Sequence, residues 1–149
     1  MSDYKAHIHW KNNGPDFVYE TFDRTHLIKF PGGIELKGSS APEFAGKKEL
    51  ANPEEMLAAT LASCHMLTFL AVSAKSRLHV ESYEDEPVAT LDKNADGKMA
   101  VTSIRLNPKA KFKGEAPSPE KLQELHAKAH RNCFIANSLA CKMAIEPRH

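Results

Sequence analysis

The stretch Asn52 to Lys75, "NPEEMLAATLASCHMLTFLAVSAK", narrows the folds open to this chain more than any other. Its start carries a full set of helix-opening signals. Asn52 suits the N-cap, Pro53 fits the first helical position, and Glu55 sits where it can reach back to the cap amide. Glu54 and Glu55 both favour the positive end of the helix dipole. Beyond them, Met56, Leu57, Leu61, Met66, Leu67, Phe69, Leu70 and Val72 cover every side of the predicted helix. Such a helix is buried all round or crosses a membrane. Thr60, Ser63, His65, Thr68 and Ser73 interrupt the run and charged residues flank it closely, so a membrane span is not expected. About 22 helical residues span ~33 Å. A lone domain of 149 residues can hardly enclose that length, whereas burial between two subunits would.

The remaining chain alternates hairpins with helices. "YKAHIHWK" reads as a strand with His7 and His9 on one face and Ile8 and Trp10 on the other. "THLIKF" and "GIELKG" are short strands around the turn Pro31-Gly32-Gly33. After the long helix, "HVESYEDEPVATLDK" and "KMAVTSIRLNPKAKF" read as two longer strands joined at "NADG". Ser118 and Pro119 open a second helix, with Leu122, Leu125 and Ala129 at helical spacing. That helix is expected to end near Asn132, and "CKMAIEP" closes the chain as a strand. This order predicts an α+β fold in one domain, 1–149, rather than a doubly wound parallel sheet.

Composition excludes several functions. The 20 basic and 19 acidic side chains leave a net charge of +1, so no strong field draws nucleic acid or an anionic membrane, and neither is an expected partner. "MSDYKAHIHWKNNG" holds no apolar run of the secretory kind. Three cysteines without a CxxC spacing do not form a disulfide framework and suit a reducing cytoplasm. "DKNADG" places Asp92, Asn94, Asp96 and Gly97 as an EF-hand loop would. Its twelfth position is Ser103 instead of glutamate, and its flanks alternate like strands, so it reads as a hairpin turn.

The chemistry-bearing residues are the cysteines. Cys64, in "SCH", is open to three readings: small core hydrophobe, metal ligand or working thiol. Asn132 could cap a short new helix with Cys133 as its first residue; beside Arg131 and His130, that thiol would have a lowered pKa. Cys141 starts the last strand without polar company. Cys64, His65, His130 and Cys133 would form a zinc site only if they converged, and adjacent Cys and His on a helix point about 100° apart.

"NPEEMLAATLASCH", taken with the distal "HRNCFIANS", resembles the OsmC/Ohr family of organic hydroperoxide reductases, over most of the chain. The resemblance departs at "FIANS", where the family often has a proline and an aromatic after the second cysteine. It implies an OsmC-like fold: antiparallel sheets wrapped around long buried helices in an intertwined homodimer. It also implies a thiol peroxidase. Cys64 would take oxygen from a small organic hydroperoxide, and Cys133 would close a disulfide with it. An external dithiol of lipoyl type would reset the pair, with no bound cofactor and no metal. The family's thiolate is supported by an arginine held by a glutamate. Here Glu54, ten residues before the cysteine, matches the glutamate, and Arg24, the only arginine ahead of the long helix, is the candidate, with another arginine as the alternative. Ten residues are ~15 Å of helix, so Glu54 of one chain would serve Cys64 of the other if two such helices cross antiparallel. Leu57, Thr60 and Leu61 share the face of Cys64, and Phe69 and Phe134 lie close in sequence to the thiols, so an apolar pocket is expected. A non-catalytic protein of the same fold, holding a small apolar ligand, is the alternative.

Overall fold

The capping signals at Asn52 are used in full. In the computed structural model, which describes residues 1–149, Asn52 Oδ1 accepts from the Glu55 amide at 2.9 Å and Glu55 Oε2 accepts from the Asn52 amide at 3.1 Å. The helix they open, α1, spans Pro53–Lys75. It stops where Arg77 turns left-handed at φ 60° and the Leu78 amide reaches back to Ser73 O at 3.0 Å.

The chain divides into two compact units, Met1–Met56 and Leu57–His149. In the first, β1 (His7–His9), β2 (His26–Lys29) and β3 (Glu35–Gly38) form an antiparallel sheet in that order. The β2–β3 hairpin closes through the turn at Gly33, whose φ of 92° favours glycine. Every residue of β1 is exposed, Ile8 as well as His7 and His9. The loop after β3 holds one 3-10 turn at Pro42–Phe44.

In the second unit each of the two expected long strands is broken in half. The segments are β4 (Val80–Glu84), β5 (Val88–Lys93), β6 (Met99–Leu106) and β7 (Lys109–Phe112). β4 pairs with β7 in one sheet and β5 with β6 in another, both antiparallel. The breaks fall at Pro87 and Pro108, which lack the amide that continues a ladder. Between them the Asn107 amide donates to Asp85 Oδ1 at 2.7 Å, a side-chain bond replacing a strand bond. "NADG" is the expected hairpin turn, with Asn94 Oδ1 accepting from the Asp96 and Lys98 amides and Gly97 at φ 74°. The final strand, β8 (Lys142–Ile145), lies parallel to β6.

The second helix, α2 (Pro119–Asn132), is capped by Ser118, whose hydroxyl accepts from the Lys121 amide. The core of this unit has two clusters. One joins Ala58, Leu61 and Ala62 of α1 to Ile104, Leu106, Cys133 and Ala136. The other joins Phe69 and Val72 to Leu125 and Ala129 of α2. The buried positions of α1 run as a stripe through Ala58, Leu61, Ala62, His65, Phe69, Val72 and Ser73. Its opposite face, with Ala59, Ser63, Leu67 and Ala71, is exposed, and Leu67 keeps 61% of its surface. One chain therefore covers one side of the helix and leaves an apolar side open. By length and composition α1 could also cross a membrane.

Candidate active site

Cys64 sits mid-way along α1, half-buried, and Cys133 ends α2, fully buried. Both belong to the same apolar cluster, and the Cys64 side chain lies close enough to Cys133 to add to the rise in its pKa. No disulfide joins them. Cys141, just ahead of β8, packs against the same cluster.

The surroundings of Cys133 differ from the sequence expectation. Asn132 is the last residue of α2 and does not cap a new helix; its side-chain amide donates to Lys128 O at 2.8 Å. Cys133 is the cap instead. Its sulfur accepts from the Ala136 amide at 3.4 Å and its carbonyl from the Asn137 amide at 3.0 Å, ahead of a 3-10 turn at Ala136–Ser138. Its pKa is not lowered by this. Burial pushes the thiol up to about 11, with the contact to Cys64 adding to the rise. A single 3-10 turn offers few aligned amides, and complete desolvation outweighs them. At neutral pH Cys133 therefore remains S–H.

The residue after Cys64 is buried in an unexpected way. His65 Nε2 and His126 Nδ1 share a hydrogen bond of 3.0 Å, with rings 5° from parallel. Phe69 stacks on His126 at 4.3 Å. Burial lowers both imidazoles to about 4, and the nearby His126 and His130 add to the shift at His65. Both are neutral at pH 7. His65 Nδ1 is buried without a partner. Nothing in the sequence signals this pair, because its members are 61 residues apart. Cys64, His65, His130 and Cys133 do not form a cluster able to hold a metal ion, and no other set of three such side chains does.

Arg24 and Glu54 lie in the first unit. The Arg24 guanidinium donates to Phe22 O at 2.9 Å and Tyr19 O at 2.6 Å, and lies 3.8 Å from the Phe22 ring centroid. The loop that presents it is tied both locally and to more distant parts of the same unit. Asp23 accepts from both the amide and the hydroxyl of Thr25 and pairs with Lys47 at 3.0 Å; these contacts, Thr25 first, lower its carboxyl to about 2. Trp10 donates to Asp23 O at 2.7 Å and packs on Phe17 and Phe22. Arg24 and these aromatics line a cavity of about 530 Å³ within this unit. Glu55 is taken by the capping box, whereas Glu54 is half-buried at the first turn of α1.

The apolar surroundings of Cys64 include Leu57 and Leu61, as expected. Phe69 is not among them: it lies five residues, about 1.4 helical turns, further on and belongs to the second cluster. Thr60 and Phe134 are exposed, Phe134 at 80%.

Known proteins agree with this architecture. The sequence pattern of the family described as OsmC-like protein matches residues 46–148. An OsmC-like protein of unknown function from Vibrio cholerae is 38% identical, with a TM-score of 0.94, covering 99% of this chain and 100% of its own. The organic hydroperoxide resistance protein OhrB of Bacillus subtilis shares the fold at 21% identity and a TM-score of 0.73, over 99% of this chain and 98% of its own. An organic hydroperoxide resistance protein OsmC from Legionella pneumophila does so at 18% and 0.70, over 99% and 97%. No curated protein matches. With its α+β architecture, and with a family pattern that runs from Gly46 through both helices and all three cysteines to Arg148, this chain belongs to the OsmC/Ohr family.

Proposed function

We propose that this protein is a cysteine-based peroxidase that reduces organic hydroperoxides to alcohols. The observation that carries the reading is the contact between a half-buried Cys64 thiol and a fully buried Cys133 thiol in one apolar cluster. Cys64 thiolate attacks the distal oxygen of ROOH; the O–O bond breaks, RO⁻ takes a proton and leaves as alcohol, and Cys64 becomes a sulfenic acid. The Cys133 sulfur then attacks Cys64. The S–O bond breaks, the hydroxyl departs with the Cys133 proton as water, and a disulfide remains. An external lipoyl-type dithiol reduces it by exchange, becoming a disulfide itself.

Arg24 stabilises the thiolate and the departing alkoxide, and Glu54 holds Arg24, in a homodimer whose partner chain supplies this pair to Cys64. The open apolar side of α1 supports such a dimer. A guanidinium can meet a carboxylate and still direct an N–H at sulfur. Arg24 uses two of its five N–H groups on loop carbonyls, which leaves three. We assign the protein to the cytoplasm, without nucleic acid or membrane as partners.

Purified protein should consume cumene hydroperoxide with dihydrolipoamide, and Cys64→Ser should be inert. No turnover with any dithiol sinks the reading. The second reading, a non-catalytic binder, draws on the aromatic cavity of the first unit. A copurified ligand in native mass spectrometry, together with thiols inert to hydroperoxide, would favour it.

A further inference from the structure

We propose that the buried His65–His126 hydrogen bond is a positioning clamp that sets the approach of Cys133 to Cys64. The pair links α1 to α2 in the interior of the second unit. His65 is the residue next to Cys64. His126 is seven residues before Cys133, two helical turns along α2. Each end of the bond thus lies on the element that carries one thiol.

A polar pair here is costly. His65 is fully buried and His126 is 3% exposed, so both imidazoles are stripped of water, and His65 Nδ1 is left unpaired. Apolar rings of similar size would fill the same space without that cost. What a hydrogen bond adds is direction: a 3.0 Å bond fixes one separation between α1 and α2 and favours a narrow range of approach angles. Phe69 holds the His126 ring from its face. His130 is the other titratable group near His65, and both paired rings are neutral at pH 7, so one N–H is shared between two uncharged partners. The thiols need this accuracy, because disulfide closure tolerates little error in sulfur separation and dihedral angle.

The role rests on Cys64 and Cys133 being a disulfide-forming pair, and it can be tested without peroxide. Oxidised dithiothreitol is equilibrated with the reduced protein. The two thiols lose two electrons and two protons, which pass to the dithiothreitol disulfide and yield its dithiol. The double variant His65→Phe/His126→Phe removes both partners while keeping ring volume. We expect its equilibrium constant for Cys64–Cys133 closure to fall at least tenfold at unchanged far-UV circular dichroism. His126→Asn, which keeps a polar atom near the Nδ1 position, should stay within threefold of wild type, and His126→Leu should not. A double variant that closes the disulfide as readily as wild type overturns the clamp alone. A wild type that forms no such disulfide at any ratio overturns the pairing and the clamp with it. If the double variant does not fold, the two single variants decide: equal values for His126→Asn and His126→Leu overturn the clamp.

Discussion

Arg24 and Cys133 are both polar groups set among apolar neighbours, yet they find their partners over very different spans of chain. The guanidinium binds carbonyls two and five residues away, and Asp23 beside it is tied to Thr25. The Cys133 sulfur meets Cys64 on another helix, and the neighbouring histidine bond spans 61 residues. Local bonds of the first kind form whenever the loop forms. The second kind exists only while the core of Leu57–His149 is intact. The guanidinium is therefore held by its own loop, whereas the thiol pair is a product of tertiary packing.

That contrast can be broken most sharply at Cys133. Cys133→Ser should abolish the disulfide and leave Cys64 as a sulfenic acid after one equivalent of cumene hydroperoxide, trapped by dimedone and seen by mass spectrometry. A disulfide formed instead through Cys141 would move the second thiol there. Next in size is Phe69→Ala. Phe69 is fully buried and stacks on His126, so its loss should cost ~3–5 kcal/mol in urea unfolding. It should also loosen the thiol pair while leaving the Trp10–Phe17–Phe22 packing unchanged by tryptophan fluorescence. Arg24→Lys tests the other side. Lysine keeps the charge but loses the planar fork, so kcat/KM should fall ~10²-fold with little change in unfolding midpoint. A loss under threefold would remove Arg24 from catalysis.

Between pH 7.5 and 4.5 acid should act on the tertiary histidine pair, whereas Asp23, held at about 2, loses its contribution only at lower pH. The folded-state values of about 4 for His65 and His126 lie below the unfolded value of about 6.5. Below pH 6.5 the unfolded chain binds protons that the folded core refuses. The stability present above pH 6.5 is thus lost as pH falls toward 4, at up to about 1.4 kcal/mol per pH unit for each imidazole. Urea midpoints measured from pH 7.5 to 4.5 should show this slope, and His65→Phe/His126→Phe should flatten it. The smallest effect is expected at the cap: Asn52→Ala removes the acceptor for the Glu55 amide and should cost ~1 kcal/mol.

Several features of this fold were legible in the residues themselves. Asn52, Pro53 and Glu55 announce the start of α1, Ser118 and Pro119 announce α2, and Asn94 and Gly97 announce a turn, since each signal acts within four residues of its own backbone. The even apolar cover of α1 also warned that one chain would leave part of it bare. Other features were not legible. Pro87 and Pro108 break two strands that alternation alone ran together, because the pattern of side chains survives a change of sheet. Cys133 read as an activated thiol from Asn132, Arg131 and His130, but burial decides a thiol's charge, and burial is not written in neighbouring letters.

By itself, then, the sequence determined the helices, the turns and the two-thiol motif that places this chain in its family, because those depend on short-range bonds and on spacing. Only the tertiary structure decided that Cys133 meets Cys64 as a buried neutral thiol, and that His65 turns inward to His126. Those outcomes depend on which distant surfaces lose water together, a property of the packed chain as a whole.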